Sequence, residues 1–393
     1  MPDTENLNVA VVQTSLNENQ GGLASFTAAL CDQLATTEAK ISLIARRESD
    51  PGSLILPEDG NVNKYFIGDQ KNWRLLSFRD FGFYAALKDI CRQNKIGIIH
   101  TQDLWTPEVH LAARAARELD LPYVMSITGT LTPWSLRHKR IKKILGWRLY
   151  QKNDLEQASV LHATCRREIE DIRRTGITAP VALIPLAVDI PRSGAHLHHP
   201  STGERTVLYL SRIHRKKGLI HLVDAWDEIR PRNWKIIVAG QDDDGYRGEL
   251  ERRIRSLGLD RDFIFKGFVS REEKNELLRN ADLFVLPTYS ENFGLVIPEA
   301  LSYGVPVITT RGTPWEDLNL FGCGWWIGIG TPPLIEALRE ALSLPASDLR
   351  EMGQKGAELV REKYSFTRLG EQFISLYRWL RGEQDRPDWV YSD

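Results

Sequence analysis

Hydrophobic positions along this chain fall into short runs separated by stretches with helical spacing. Apolar runs of strand length occupy 7–13, 41–45, 96–100, 122–127, 160–164 and 181–185. Helical patterns lie between them at 22–34, 81–93, 107–119 and 168–175. The alternation restarts with runs at 206–210, 234–239, 263–266, 282–286 and 306–310, and helical stretches extend to residue 381. Continuous apolar strands alternating with helices predict parallel sheets covered on both faces, the α/β class. A Pro-, Gly-, Ser- and His-rich stretch separates the two series. It predicts a linker over 189–203 between domains at 1–188 and 204–369, with a cleft between two sheets. His196, His198 and His199 have no ligand types around them and read as linker residues.

One stretch concentrates polar chemistry between two such runs: Pro287-Thr-Tyr-Ser-Glu291-Asn-Phe-Gly294-Leu-Val-Ile-Pro298-Glu299-Ala-Leu-Ser-Tyr-Gly304. A loop leads into a short helix over roughly 297–303. Pro298 suits its first turn and Gly304 its stop. The helix start faces the carboxyl edge of a sheet, where ligands of such folds bind, and its free N–H groups suit an anion. Glu291 and Glu299 flank it. Amides for an anion and carboxylates for hydroxyls suit a sugar nucleotide. A second loop, Ser211-Arg212 to Lys217-Gly218, also follows a strand, and its cations suit a diphosphate. Alone, it reads equally well as a solvated basic loop.

Composition narrows the function classes. The net charge of −1 argues against a nucleic-acid binder. Cys31, Cys91, Cys165 and Cys323 are scattered, which fits a reducing compartment and no metal cluster. Asp242, Asp243 and Asp244 could bind a metal–diphosphate but lead into a helix as cap residues. The first residues lack a signal-peptide pattern, and no apolar run approaches membrane-spanning length. A cytoplasmic protein is expected. Gly21-Gly22 reads either as a ligand-approach loop or as a turn. Between Leu131 and Asn153 lie seven Lys and Arg residues and no acid, with Ile141, Leu145 and Leu149 at i, i+4, i+8. That segment reads as an amphipathic helix, for which two roles stand open. Its stripe could pack on the domain with the charges solvated. Alternatively Arg137, Lys139, Arg140, Lys142 and Lys143 could meet anionic headgroups or a phosphate-bearing acceptor, peripheral on the inner face of the cell membrane.

The motifs Ser211-Arg212…Lys217-Gly218, Pro287-Thr-Tyr-Ser-Glu291-Asn-Phe-Gly294 and Pro298-Glu299-Ala300-Leu-Ser-Tyr-Gly304-Val-Pro-Val-Ile resemble those of glycosyltransferase family 4. Pro314-Trp315 and His162-Ala-Thr164…Glu168 resemble the branch that builds bacterial surface polysaccharides. The resemblance implies the GT-B fold, two Rossmann-like α/β/α domains facing across a cleft, with the helix from about 370 to 393 returning to the first domain. It implies a retaining transferase without a metal or other cofactor. The donor would be a UDP- or GDP-linked sugar, and the acceptor a glycan or lipid-diphosphate-linked hydroxyl. Arg212 and Lys217 would hold the diphosphate, and Glu299 the ribose hydroxyls. Glu291 and the amides of Phe293, Gly294 and Leu295 would hold the sugar and diphosphate. Gly267 to Val269 would lie along the base, and Gly21 and Gly22 would border the diphosphate. Where the family often has a His-Gly or Arg-Gly turn near the reacting sugar, this chain has Thr128-Gly129. Its His-x-His pattern is His100-Thr-Gln102. These departures keep two other readings open: a non-catalytic nucleotide-sugar-binding subunit, and a GT-B sugar-nucleotide epimerase.

Overall fold

The computed structural model describes residues 7–17, 22–47, 54–68, 80–191 and 203–392. Gly21 and the three linker histidines lie outside these residues. The chain forms two compact units, one of residues 1–186 with 366–393 and the other of residues 187–365.

The first unit is built on β1 (Asn8–Gln13), β2 (Lys40–Arg46), β3 (Asn63–Ile67), β4 (Ile98–Gln102), β5 (Tyr123–Ser126), β6 (Val160–Ala163) and β7 (Val181–Leu183). All are parallel. Most positions on both faces are buried, as continuous apolar runs require. The second unit is built on β8 (Arg205–Leu210), β9 (Trp234–Ala239), β10 (Phe263–Gly267), β11 (Leu283–Leu286), β12 (Val307–Thr310) and β13 (Gly324–Ile327), again parallel. Its order is β10-β9-β8-β11-β12-β13. Strand order therefore reverses between β8 and β11, which opens a crevice beyond their carboxyl ends.

After the second unit the chain returns to the first. Helix Phe366–Leu380 buries Leu369, Phe373, Leu376 and Tyr377, and β14 (Val390–Tyr391) pairs antiparallel with β7. The first sheet thus runs β14-β7-β6-β5-β4-β1-β2-β3.

A buried polar chain ties that helix to the sheet. Tyr377 OH lies 2.7 Å from His100 Nδ1, His100 Nε2 lies 2.8 Å from Ser126 Oγ, and Ser126 Oγ lies 2.8 Å from His162 Nδ1. His162 Nε2 faces the carbonyl of Ile184 at 2.8 Å. A carbonyl can only accept, so His162 carries its proton on Nε2 and accepts from Ser126. Ser126 then accepts from His100 Nε2–H, and Tyr377 donates to His100 Nδ1. Burial lowers the pKa of both histidines, His162 to about 4, and raises that of Tyr377, so the chain is neutral throughout. The carboxamide of Gln102 reaches His100 Nε2 at 3.2 Å. Because that nitrogen donates, the satisfying amide orientation turns Oε1 toward it, an atom otherwise buried without a partner. His100 and Gln102 are fully buried structural residues.

Candidate functional site

Three loops follow β8, β11 and β12 and are laced together by backbone contacts. Tyr289 N–H donates to Lys216 O at 2.9 Å, and Thr288 Oγ1 donates to the same carbonyl at 3.1 Å. Glu291 N–H donates to Gly312 O at 2.9 Å. Two glycines permit this closeness. Gly218 has φ +69°, and a Cβ there would stand 2.0 Å from Pro287 O. A Cβ on Gly312 would stand 2.5 Å from Tyr289 O. Gly218 also starts helix Leu219–Ile229, which carries His221 to Tyr289 OH at 2.7 Å.

Lys217 and Glu291 meet on this platform. Lys217 Nζ donates to Glu291 Oε1 at 2.5 Å, and the Thr288 hydroxyl, whose one proton is shared with Lys216 O, lies 3.1 Å from the same oxygen. Both charged side chains are largely covered, 14% and 13% exposed. A shielded pair is screened less than a surface one, so the ammonium is fixed in place with further N–H donors in hand. Phe293 is buried, and its carbonyl accepts from Trp315 Nε1 at 2.6 Å. Its ring packs 5.2 Å from that of Trp315, which in turn packs 4.8 Å from Tyr364. Gly294 (φ +81°) and Leu295 then lead into helix Val296–Ser302, which carries Glu299 in its first turn.

The two glutamates have different partners. Glu299 Oε1 accepts from Lys274 Nζ at 2.7 Å, across from helix Arg271–Arg279. Lys274 escaped the sequence reading because it sits in a run of charges, Arg271-Glu-Glu-Lys-Asn-Glu276, that looks like any solvated helix face. Arg212 is turned aside: its exposed guanidinium pairs with Asp243 Oδ2 at 2.7 Å. The aspartates divide their work, since Asp242 Oδ1 accepts the Arg247 N–H in the first turn of helix Tyr246–Ser256. Gly267 lies at the end of β10, where its carbonyl oxygen accepts from Gly240 N–H at 2.8 Å, with Val269 two residues beyond.

In the first unit, Gly22 begins helix Gly22–Ala35 and is exposed. Thr128 adopts φ +45°, an uncommon conformation for a β-branched residue. The buried Glu168 holds the turn. It accepts from Gly129 N–H on one oxygen and from Thr164 N–H and Oγ1–H, at 2.7 and 2.9 Å, on the other. Burial raises the Glu168 pKa, and these donors oppose that shift. In the sequence, Glu168 stands out only as part of the His162-Ala-Thr164…Glu168 motif. Of the basic residues, Arg137, Lys139, Arg140 and Lys142 are exposed, whereas Lys143 turns inward to Ser135 O at 2.7 Å and lies over the Trp105 ring. Burial lowers its pKa.

Two family descriptions together match most of the chain, "Glycosyl transferase 4-like domain" over residues 21–187 and "Glycosyl transferases group 1" over residues 198–358. The chain belongs to the family 4-type glycosyltransferases. Their GT-B fold is that of the two parallel-sheet units. The Anabaena HepE structure, in complex with UDP and glucose, is 16% identical and aligns over 94% of this chain and 99% of its own, with a TM-score of 0.72. The alpha-D-kanosaminyltransferase of Streptomyces kanamyceticus is 31% identical over 180 residues, 44% of this chain and 45% of that protein. The match to this transferase therefore spans less than half the relative's length. The alpha-monoglucosyldiacylglycerol synthase of Streptococcus pneumoniae is 28% identical over 348 residues, 78% of this chain and 74% of that enzyme.

Proposed function

We propose that this protein transfers a glycosyl group from a nucleotide-diphosphate sugar to a hydroxyl with retention of anomeric configuration. The observation that carries the reading is the Lys217–Glu291 pair, held on laced loops at the reversal of strand order between β8 and β11. This is where an α/β sheet binds its ligand. Lys217 meets the donor diphosphate with its remaining N–H groups, and Arg212 joins it by leaving Asp243. Glu291 and the amides of Phe293, Gly294 and Leu295 hold the sugar and diphosphate. Glu299, steadied by Lys274, accepts from the ribose hydroxyls. Gly267 to Val269 line the base. The bond from the anomeric carbon to the diphosphate oxygen breaks as the acceptor oxygen bonds that carbon on the same face. The acceptor proton passes to the departing diphosphate. Cations aimed at that developing charge are each worth ~10²–10³ in rate. The chemistry needs no metal.

The likeness to HepE, seen in complex with UDP and glucose, favours UDP as the nucleotide, and the likeness to the alpha-monoglucosyldiacylglycerol synthase favours a lipid or lipid-linked hydroxyl as the acceptor. GDP remains in the test. The acceptor proposed is a glycan or lipid-diphosphate-linked intermediate of cell-surface polysaccharide. Incubation with a panel of UDP- and GDP-sugars tests the reading. Slow release of nucleoside diphosphate from one donor, lost in Glu291→Ala, is expected. Tight binding without turnover on any donor or lipid acceptor would make this a binding subunit. Interconversion of donors without an acceptor would make it an epimerase.

A further inference from the structure

The basic segment of the first unit exposes its apolar stripe instead of packing it on the domain. A short helix, Pro133–Arg137, stops at His138. Lys139 turns left-handed (φ +52°), and helix Arg140–Gly146 then runs into a π turn, Trp147–Gln151. The face toward the domain is not the Ile/Leu stripe. It carries Gly146, Trp147, Tyr150 and Gln151. Trp147 packs 6.2 Å from Trp105, Tyr150 OH donates to Trp105 O at 3.3 Å, and Gln151 Oε1 accepts Trp105 N–H at 2.9 Å.

Ile141 is 84% exposed, Leu149 71% and Leu145 59%, and Trp134 on the preceding short helix is 56% exposed. Ile141, Ile144 and Leu145 share an arc of about 100° on the helix, and Lys142 and Arg140 stand on its two sides. Both cations are exposed, as are Arg137, Lys139 and Arg148. A contiguous apolar ridge of this kind is unusual on a protein surface facing only water. Exposed cations stand beside it, and residues 131–153 contain no Asp or Glu. An apolar ridge with flanking Lys and Arg matches the boundary between acyl chains and anionic headgroups, with long basic stems reaching up to the phosphates.

We propose that residues 134–149 insert into the headgroup–acyl boundary of an anionic bilayer. Trp134, Ile141, Leu145 and Leu149 enter the apolar side, while Arg140 and Lys142 contact the phosphates. Lys143 takes no part, because its ammonium is engaged by Ser135 inside the unit. The proposal rests on the first unit alone and is independent of the donor reading.

The test is sedimentation of the full-length protein with vesicles of phosphatidylcholine, alone or mixed with phosphatidylglycerol. The mixed vesicles are expected to bind it. The triple change Ile141→Asn, Leu145→Asn, Leu149→Asn should weaken that binding at least tenfold, a lower bound that holds even when the three side chains are only partly inserted. Arg140→Gln with Lys142→Gln should weaken it by about fivefold per charge. Nucleotide release from a soluble donor should be unchanged in the triple variant, which also reports that it folds. Absence of binding to mixed vesicles would overturn the proposal. So would wild-type binding by the triple variant, which would mean adsorption without insertion. A concentration-dependent dimer in centrifugation, abolished by the triple change, with no vesicle binding, would assign the ridge to a second copy of this chain instead.

Discussion

Lys217 and Glu291, 74 positions apart, meet at 2.5 Å with both side chains largely covered. The pair joins the loop after β8 to the loop after β11, so each member positions the other. Glu291→Gln keeps a hydrogen-bond acceptor for Lys217 but removes the charge. Turnover of the preferred donor should fall ~10-fold in Glu291→Gln and ~10²–10³-fold in Glu291→Ala, by analogy with loss of one preorganised electrostatic contact. Kinetics of nucleotide release, with melting curves run in parallel, check this. A loss of rate that tracks a loss of folded protein would count against a role at the site.

Gly218→Ala should destabilise the second unit. The new methyl would meet Pro287 O at 2.0 Å, and the residue holds a left-handed φ of +69°. Left-handed backbone alone costs a non-glycine residue ~1–2 kcal/mol, and relieving the clash means moving the loop that carries Glu291. A total loss of about 2 kcal/mol or more is expected from urea unfolding, with turnover falling as well.

Lys274→Met should leave the fold intact and act through Glu299. The ion pair is partly exposed, 29% and 24%, so its direct contribution to stability is modest, about 1 kcal/mol or less. Without the ammonium, Glu299 is free to rotate away from the place in which it is proposed to meet the ribose. The expected signature is a rise in donor KM of roughly tenfold with little change in kcat, the pattern for loss of binding common to ground and transition states. An unchanged KM would remove Lys274 from the site.

The histidine chain gives the first unit a pH dependence. His162 is held down to about 4 and His100 well below its ordinary value, both chiefly by burial. Between pH ~6.5 and ~4 the unfolded chain takes up protons that the folded unit refuses. Stability is therefore full above that window and is lost as pH falls through it, by about 3 kcal/mol for His162 alone. Urea midpoints measured from pH 7 to 4.5 should fall accordingly. The ring signals of His162 in NMR should show no protonation above pH 5 in the folded protein.

The strands that the sequence announced are those with unbroken apolar runs, and the two series of them carried the α/β class. β3, β13 and β14 were not foreseen. Asn63-Lys-Tyr-Phe-Ile67 mixes polar and apolar positions, Gly324-Trp-Trp-Ile327 is short and glycine-led, and Val390–Tyr391 has two residues that pair only because the final helix returns to β7. At the site, Lys217, Glu291 and Glu299 were legible because glycines and prolines punctuate their loops. Lys274 was not, because its partner is set by helix packing and not by local pattern. The spacing of Ile141, Leu145 and Leu149 revealed a stripe but not its direction. Gly146 and the aromatic contacts to Trp105 decide which face turns inward, and a period of residues carries no such information.

The role proposed for Lys217 and its loop is to hold the diphosphate of a nucleotide donor. Calorimetric titration of the full chain with UDP and with GDP, repeated on Lys217→Ala, tests it most directly. One nucleotide should bind the wild type, and the variant should bind it roughly 10- to 100-fold more weakly, the equivalent of one charge-assisted hydrogen bond of about 1.5–3 kcal/mol. Equal affinity in the folded variant, or no binding of either nucleotide to the wild type, would contradict the account.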